Sequence, residues 1–434
     1  MPTGYKMSSL LDTNLNNAGD EWGMGQGGFR VDYNASKIDQ LMVQGNVYYA
    51  QPNPDADTVT KGVIARGDNI VARWNHNHSE HNNFQLQLFY DHTQRDFING
   101  FKEDLKTYDI EWQNRFRVGQ SHSITYGLGF RLLDHWVTNL NLFGFFPPRK
   151  TLRIYNGFLQ YEIILVKERL RFTIGTKMEH NTYTQFQHQP NARLTWTPSE
   201  KQTLWAAASR AVRNPSRLDR EFSVSLFEGF PLFMGTDTFQ SETMNAFELG
   251  WRFKPAKNVA LSLSTFYNVY DNIRSAEPGP DATAGFPIVF ANGVKGTTYG
   301  AELSVTSQVT DWWNLRGGYT FLRKELEVKS TSNDANEASA ESNDPQHQFL
   351  LQSNIELPWH LQFGTVLRFI DKLPDPEVPF YVGMDLRLAW NAGEVLELSI
   401  VGQNLLYNQH TQFIASTPER LVQRSVYGKV ACRF

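Results

Sequence analysis

The sequence predicts an all-β fold, an antiparallel up-and-down transmembrane β-barrel, and three observations carry the prediction. The chain ends on a strand of strict alternation. It is rich in aromatic residues, yet no apolar run is long enough for a helical membrane span. The connections between its strand-like segments alternate between short and long.

The ending comes first. Val426, Gly428, Val430, Cys432 and Phe434 share one phase of a period-two pattern, and Tyr427, Lys429, Ala431 and Arg433 share the other. Alternation sends the two sets to opposite faces of a strand, here apolar and polar. A closing strand with lipid on one side and a watery lumen on the other has this form. Tyr427, Val430 and the terminal Phe434 are the expected barrel-closing residues. Any edge strand could share the pattern, so the rest of the chain must decide.

Composition narrows the choice. Aromatic residues make up 13% and charged residues 20%, with 30 Phe, 17 Tyr and 11 Trp. The mean hydropathy is −0.45, and no stretch of about eighteen apolar residues exists, which excludes helical spans. A transmembrane barrel escapes that test because half of every strand is polar. A net charge of −4 and a pI near 6.3 give no reason to expect nucleic acid as a partner. The single cysteine, Cys432, has no intramolecular partner and reads as a small apolar residue. The start, MPTGYKMSSLL, lacks the features of a signal peptide.

Alternating segments recur throughout. Phe84, Leu86, Leu88 and Tyr90 are interleaved with Gln85, Gln87 and Asp91. Val259, Leu261 and Leu263 alternate with Ala260, Ser262 and Ser264, and Leu396, Leu398 and Ile400 with Glu397 and Ser399. Short connections fall at Asn34–Ser36, Gly119–Gln120, Pro198–Glu200, Lys254–Asn258, Gln308–Asp311 and Asn391–Gly393. Long ones are expected near 51–62, 135–150, 211–239, 275–287, 324–345 and 406–420. A meander with tight turns on one rim and long loops on the other is the barrel pattern, and Greek-key sandwiches have no reason to keep it. The count is about nineteen strands. Bacterial single-chain barrels have even numbers, so the expected parent has 22 strands, with the first three and everything before them lacking.

The ordered motifs resemble the TonB-dependent outer-membrane receptors. Gln26-Gly27-Gly28-Phe29-Arg30-Val31-Asp32-Tyr33 resembles an early hairpin of their barrel. Leu204-Trp205-Ala206-Ala207-Ala208-Ser209-Arg210 through Asn214-Pro215-Ser216-Arg217 resembles their strand-and-loop signature. Glu248-Leu249-Gly250-Trp251, Tyr299-Gly300-Ala301-Glu302-Leu303 and Val401-Gly402-Gln403-Asn404-Leu405 continue the series. The resemblance covers nearly all of residues 1–434 as one barrel domain. It implies a Gram-negative outer-membrane location, surrounding lipid, assembly by the barrel-assembly machinery through the last strand, and no enzymatic activity. It further implies import of a scarce solute, a ferric siderophore by default, with TonB pulling on a plug domain. Plug and TonB box are expected to be absent from this chain. A passive pore, a cobalamin, carbohydrate or other metal-chelate receptor, and a surface-binding barrel without transport stay open as alternatives.

Candidate sites lie in the long loop from Asn214 to Thr238. Arg213, Arg217, Phe222, Phe227, Phe230 and Phe233 are the expected ligand-binding residues at the extracellular mouth. The plainer reading is that the phenylalanines pack against neighbouring loops, and that Arg210 and Arg213 form salt bridges to facing acids. His76, His78 and His81 have the spacing of metal ligands, but the order of connections puts them on the short-turn rim, where solvated histidines need no role. No metal or other cofactor is expected. The segment Ser330–Asp344 reads as a mobile loop. Neither a G-x-S-x-G nor an H-E-x-x-H motif is present.

Overall fold

Period-two sequences without tight Greek-key signals should build one long meander, and the structure is one. A computed structural model describes residues 3–7, 11–12, 22–52, 62–97, 100–283, 285–334, 336, 338–339, 343–393, 395–412 and 420–432. Its main sheet has 23 strands. Three of these are short loop strands, nineteen form an antiparallel up-and-down barrel wall from Trp22–Asn34 to Ser425–Cys432, and the short strand Thr3–Met7 pairs along the first of them. Phe434 lies outside the described residues.

The registers fix which side chains share a face. Trp251 pairs with Leu263 and Phe253 with Leu261, and these continue to Leu303 and Val305 on the next strand. Directly paired residues lie on one side of a sheet, so this face is apolar, and Leu128 at 65% exposure and Ile400 at 61% belong to the same kind of surface. The opposite face carries Ser262, Ser264 and Glu248. It also carries cross-strand ion pairs, Arg131–Asp109 at 2.7 Å, Arg368–Asp385 at 2.8 Å and Arg387–Glu397 at 2.7 Å. An apolar outside and a charged inside are what a lipid-embedded barrel requires. Val426 and Val430 lie on the apolar phase, where Val430 opposes Leu398; Tyr427 opposes Val401 on the other.

Turn chemistry explains the short rim. Gly119 takes φ +62° between the strands His122–Thr138 and Lys102–Val118, a conformation that suits glycine. Further short turns fall at residues 35–38, 200–201, 257–258 and 311–312. Within the wall, Gly250 leaves room for the Trp205 ring, which a Cβ would meet at 2.1 Å. Trp205 therefore packs on the inner face, opposite Gly250.

Two loop expectations are corrected. Residues 275–287 are largely strand: Val259–Thr283 and Phe286–Thr310 run 25 residues each. A membrane crossing needs about 9–11 residues, so this hairpin stands well clear of the bilayer. Its register shifts between Tyr270 and Ile273. The expected mobile loop Ser330–Asp344 instead supplies Ala338, which is buried with Ile273 and Val294. Asp334 is buried beside them and accepts hydrogen bonds from the Ala276 and Ala338 amides at 2.7 and 2.9 Å. Backbone groups of the tall hairpin thus find partners in the next loop. Near the chain ends, Leu11–Asp12, Gln409–Thr411 and Arg420–Gln423 form a separate three-stranded sheet.

Candidate functional site

The long-loop rim carries a braced cap built after the strand Gln202–Arg213. Pro215 interrupts the strand, and Ser216 then starts the short helix Arg217–Glu221. Ser216 and Asp219 form a reciprocal capping box: the Asp219 amide donates to the Ser216 hydroxyl, and the Ser216 amide donates to the Asp219 carboxylate at 2.8 Å. A hairpin follows, Phe222–Phe227 and Phe230–Met234, turning at Gly229 with φ +85°. It is sewn to its neighbours on both sides. Phe222 pairs with Phe145 in an antiparallel register, and Phe233 and Met234 pair in parallel with Ile288 and Val289 of the tall hairpin.

Charge holds the base of this cap. Asp219 is fully buried, with Arg213 Nη1 at 3.3 Å and Arg274 Nη1 at 3.6 Å. Arg213 also grips Glu242 through two bonds of 2.7 and 2.6 Å, the bidentate geometry that makes such pairs strong. Arg217 is only 4% exposed. It donates to Glu221 at 2.6 Å, meets His135 Nδ1 at 3.2 Å, and donates to the carbonyls of His135, Pro147 and Pro148. Its guanidinium also lies over Phe145, 5.2 Å from the ring centre.

Glu221 joins the helix to the wall. Lys150 lies 2.8 Å from its carboxylate, and the Tyr183 hydroxyl donates to it at 3.0 Å. Burial raises the Glu221 pKa, but the hydrogen bonds from Lys150 and Arg217 outweigh burial and hold the carboxyl below its ordinary value. Burial, then the neighbouring Glu221 charge, pushes the Tyr183 phenol above its ordinary value.

The predicted residues therefore fall into two sets. Arg213 and Arg217 face protein groups in the base of the cap. Phe222 packs against Phe143 and Phe145, with centroids at 5.1 and 5.6 Å, and Phe233 packs edge-on to Phe290 at 4.5 Å. Phe227 and Phe230 stand at the hairpin tip instead, stacked at 5.2 Å with 22° between their planes. Phe286 adjoins them, 6.4 Å from Phe230. Leu226 at 58% exposure and Phe227 at 57% complete an apolar tip open to solvent.

The histidine motif sits elsewhere, at the opposite rim. His76 binds Asp39 at 2.7 Å, and its ring lies 6.2 Å from that of His78. Among the described residues no group of three or more His, Cys, Asp or Glu side chains is arranged to hold a metal ion. Sequence reasoning missed Asp219, Glu221, Glu242 and Arg274. The Ser216-x-x-Asp219 spacing is a capping-box signal that could have revealed the helix; the contacts of Arg274 leave no local trace.

A wide barrel with an apolar outer belt, a charged lumen and a braced loop cap defines an outer-membrane receptor-type protein. The chain belongs to the TonB-dependent receptor-like β-barrel family, whose model matches residues 4–405. It resides in the outer membrane of a Gram-negative bacterium, in a family of receptors and not of enzymes. A curated relative, the iron-regulated outer membrane virulence protein of Vibrio cholerae, is 26% identical over 177 residues. That match takes in 39% of this chain but only 27% of the relative. The siderophore receptor PirA from Acinetobacter baumannii has the same fold, with a TM-score of 0.78 at 12% identity, over 100% of this chain and 75% of its own. So does the Serratia marcescens hemophore receptor HasR, solved with its hemophore HasA and heme, at 0.78 and 15% identity over the same shares.

Proposed function

We propose that this chain is the barrel of a TonB-dependent transporter that binds and imports an iron chelate, most directly a ferric siderophore. The observation that carries the reading is the braced cap itself. Salt bridges and loop-to-loop strands hold its base, so that the stacked Phe227–Phe230 tip stands on a rigid support at the barrel mouth. Apolar and aromatic groups on a fixed scaffold are what a ligand the size of a chelate needs for recognition. Family membership supports the transport mechanism, and the iron-regulated relative and the siderophore receptor support the cargo class. In this account TonB acts through a plug domain that occupies the lumen, against the charged inner wall. The barrel-assembly machinery engages Ser425–Cys432, and surrounding lipid covers the outer belt.

Transport separates this reading from a passive pore and from a binding barrel without import. The natural full-length protein is expressed in cells lacking other iron-chelate receptors, with TonB present or deleted. Growth on one ferric siderophore as sole iron source, lost on deletion of TonB, is the expected result. Uptake that persists without TonB would make the barrel a pore. Binding without uptake in either strain would make it a surface receptor only.

A further inference from the structure

The strand Val63–Ser79 brings two histidines to the short-turn rim, opposite the cap. Its outer face is set by Trp74, whose row continues through Leu86 and Trp112 to Leu128 of the apolar belt. His76 is the next residue on that face, between Asp39 on one neighbouring strand and Phe84 on the other. A β-bulge follows, because the register shifts between Asn77 and Ser79. Bulges re-aim a side chain, and here the His78 ring comes to 6.2 Å from that of His76, with 31° between the planes. The two imidazoles stand one step beyond the tryptophan row that marks the membrane interface, within reach of water.

His76 is held from behind. Its Nδ1 lies 2.7 Å from Asp39 Oδ1, and an ionised carboxylate only accepts, so Nδ1 carries the hydrogen. Asp39 is itself fixed: Trp74 Nε1 donates to the same oxygen at 3.0 Å, and the Ser36 hydroxyl donates to the other at 2.8 Å. Phe84 at 5.1 Å and Trp74 edge-on at 5.9 Å confine the ring. The neutral imidazole then has its lone pair on Nε2, which makes no hydrogen bond among the described residues. A carboxylate behind a histidine fixes the tautomer and raises the basicity of the far nitrogen, the arrangement that supports metal ligands. His78 is exposed and has no hydrogen-bond partner among the described residues.

We infer that His76 and His78 form a binding site for a borderline divalent transition-metal ion such as nickel, copper(II) or zinc, with Asp39 as the positioning residue. Imidazole nitrogen suits these ions. Ring nitrogens about 2.0–2.1 Å from one ion allow the two ring centres to lie at most about 6.4 Å apart. The observed 6.2 Å is within that reach, and rotation of the exposed His78 closes the angle. His81 completes the sequence motif but not the site: no three ligating side chains converge there among the described residues. Water takes the remaining positions, so the ion is exchangeable and not structural. The site lies on the short-turn rim and does not depend on the cargo the barrel carries.

Calorimetric titration with Ni²⁺ tests this on the natural full-length protein, free of any affinity tag and stripped with chelator, in detergent. Electron paramagnetic resonance with Cu²⁺ counts the ligating nitrogens. The wild type should bind one Ni²⁺ more than the His76→Ala, His78→Ala double variant, and its Cu²⁺ spectrum should show two coupled nitrogens. Either single variant should leave one nitrogen. It should also weaken Ni²⁺ binding at least as much as loss of an outer partner does, about 10- to 100-fold. Asp39→Ala should weaken binding by about 10- to 100-fold with both nitrogens kept, and Asp39→Asn, which still accepts from Nδ1, should lose less. His81→Ala should bind like wild type. Heat-modifiable gel mobility reports whether each variant is folded. A folded double variant that binds as many ions as wild type would overturn the proposal, as would a wild-type spectrum without two nitrogens. Folded Asp39→Ala that binds like wild type would overturn its positioning role. His81→Ala that weakens binding as much as His78→Ala would overturn the assigned pair.

Discussion

Removing the Asp219 carboxylate should loosen the cap while leaving the barrel wall intact. Asp219 is fully buried between Arg213 and Arg274 and closes the capping box with Ser216. Asp219→Ala takes away both roles. Removing one partner of a fully buried pair costs about 3–5 kcal/mol, but Arg213 is half exposed and keeps Glu242, which lowers that figure. Loss of the cap adds about 1 kcal/mol. A net loosening of about 2–3 kcal/mol is expected, or about 30- to 150-fold in the opening equilibrium. Hydrogen exchange, read peptide by peptide in detergent or nanodiscs, should show this increase across residues 214–241 and no change in the wall strand Leu361–Ile370, which makes no contact with the cap. Asp219→Asn retains a side-chain acceptor for the helix and should fall between the two. Unchanged exchange in the cap would refute the reasoning, because a buried charge at the hub of two arginines cannot be silent. A uniform increase over the whole wall would refute the separation of cap from barrel.

Other consequences are equally specific. Leu261→Arg places a charge on the lipid face and should cost about 2–4 kcal/mol if near the bilayer midplane, whereas Ser262→Arg should be nearly neutral; unfolding in lipid vesicles compares them, and equal costs would reverse the assigned faces. The folded-state pKa of Glu221 is depressed, so its stabilisation is complete above the ordinary carboxylate range and is lost as pH falls through the depressed value. Exchange in residues 214–241, corrected for intrinsic rate, should therefore be flat from about pH 5 to 8 and rise below about pH 4. Glu221→Gln should abolish that acid-dependent step. Phe222→Ala opens a hole between Phe143 and Phe145 and should loosen the cap, while Phe227→Ala at the exposed tip should leave exchange in the cap base unchanged.

Much of the wall was legible because lipid imposes alternation. Leu261 and Ser262 declare their faces, and the turn at Gly119 announces itself in one residue. The about nineteen strands read from sequence match the nineteen of the wall. Legibility fails where the chain leaves the membrane. Pro278 and Gly279 read as loop, yet Pro278 pairs with Ile288 in the tall hairpin, braced by Phe233 and Met234 from another loop. The Ser330–Asp344 segment looks too polar to pack, yet Asp334 and Ala338 supply what the tall hairpin's backbone and core lack. In the cap, Arg217 meets His135 and Arg274 meets Asp219 across long sequence separations, and no local pattern encodes such pairs.

The central claim is that the cap tip receives an iron chelate. Its most direct test is equilibrium binding to the natural full-length protein, followed by fluorescence quenching with ferric catecholate, ferric hydroxamate and heme as titrants. The account predicts saturable binding of a ferric siderophore. Phe227→Ala and Phe230→Ala should each weaken it by about 2- to 10-fold, the worth of one aromatic contact, with the cap base still protected. Tip variants that bind like wild type would contradict the assigned site, and failure of every iron chelate to bind would contradict the function.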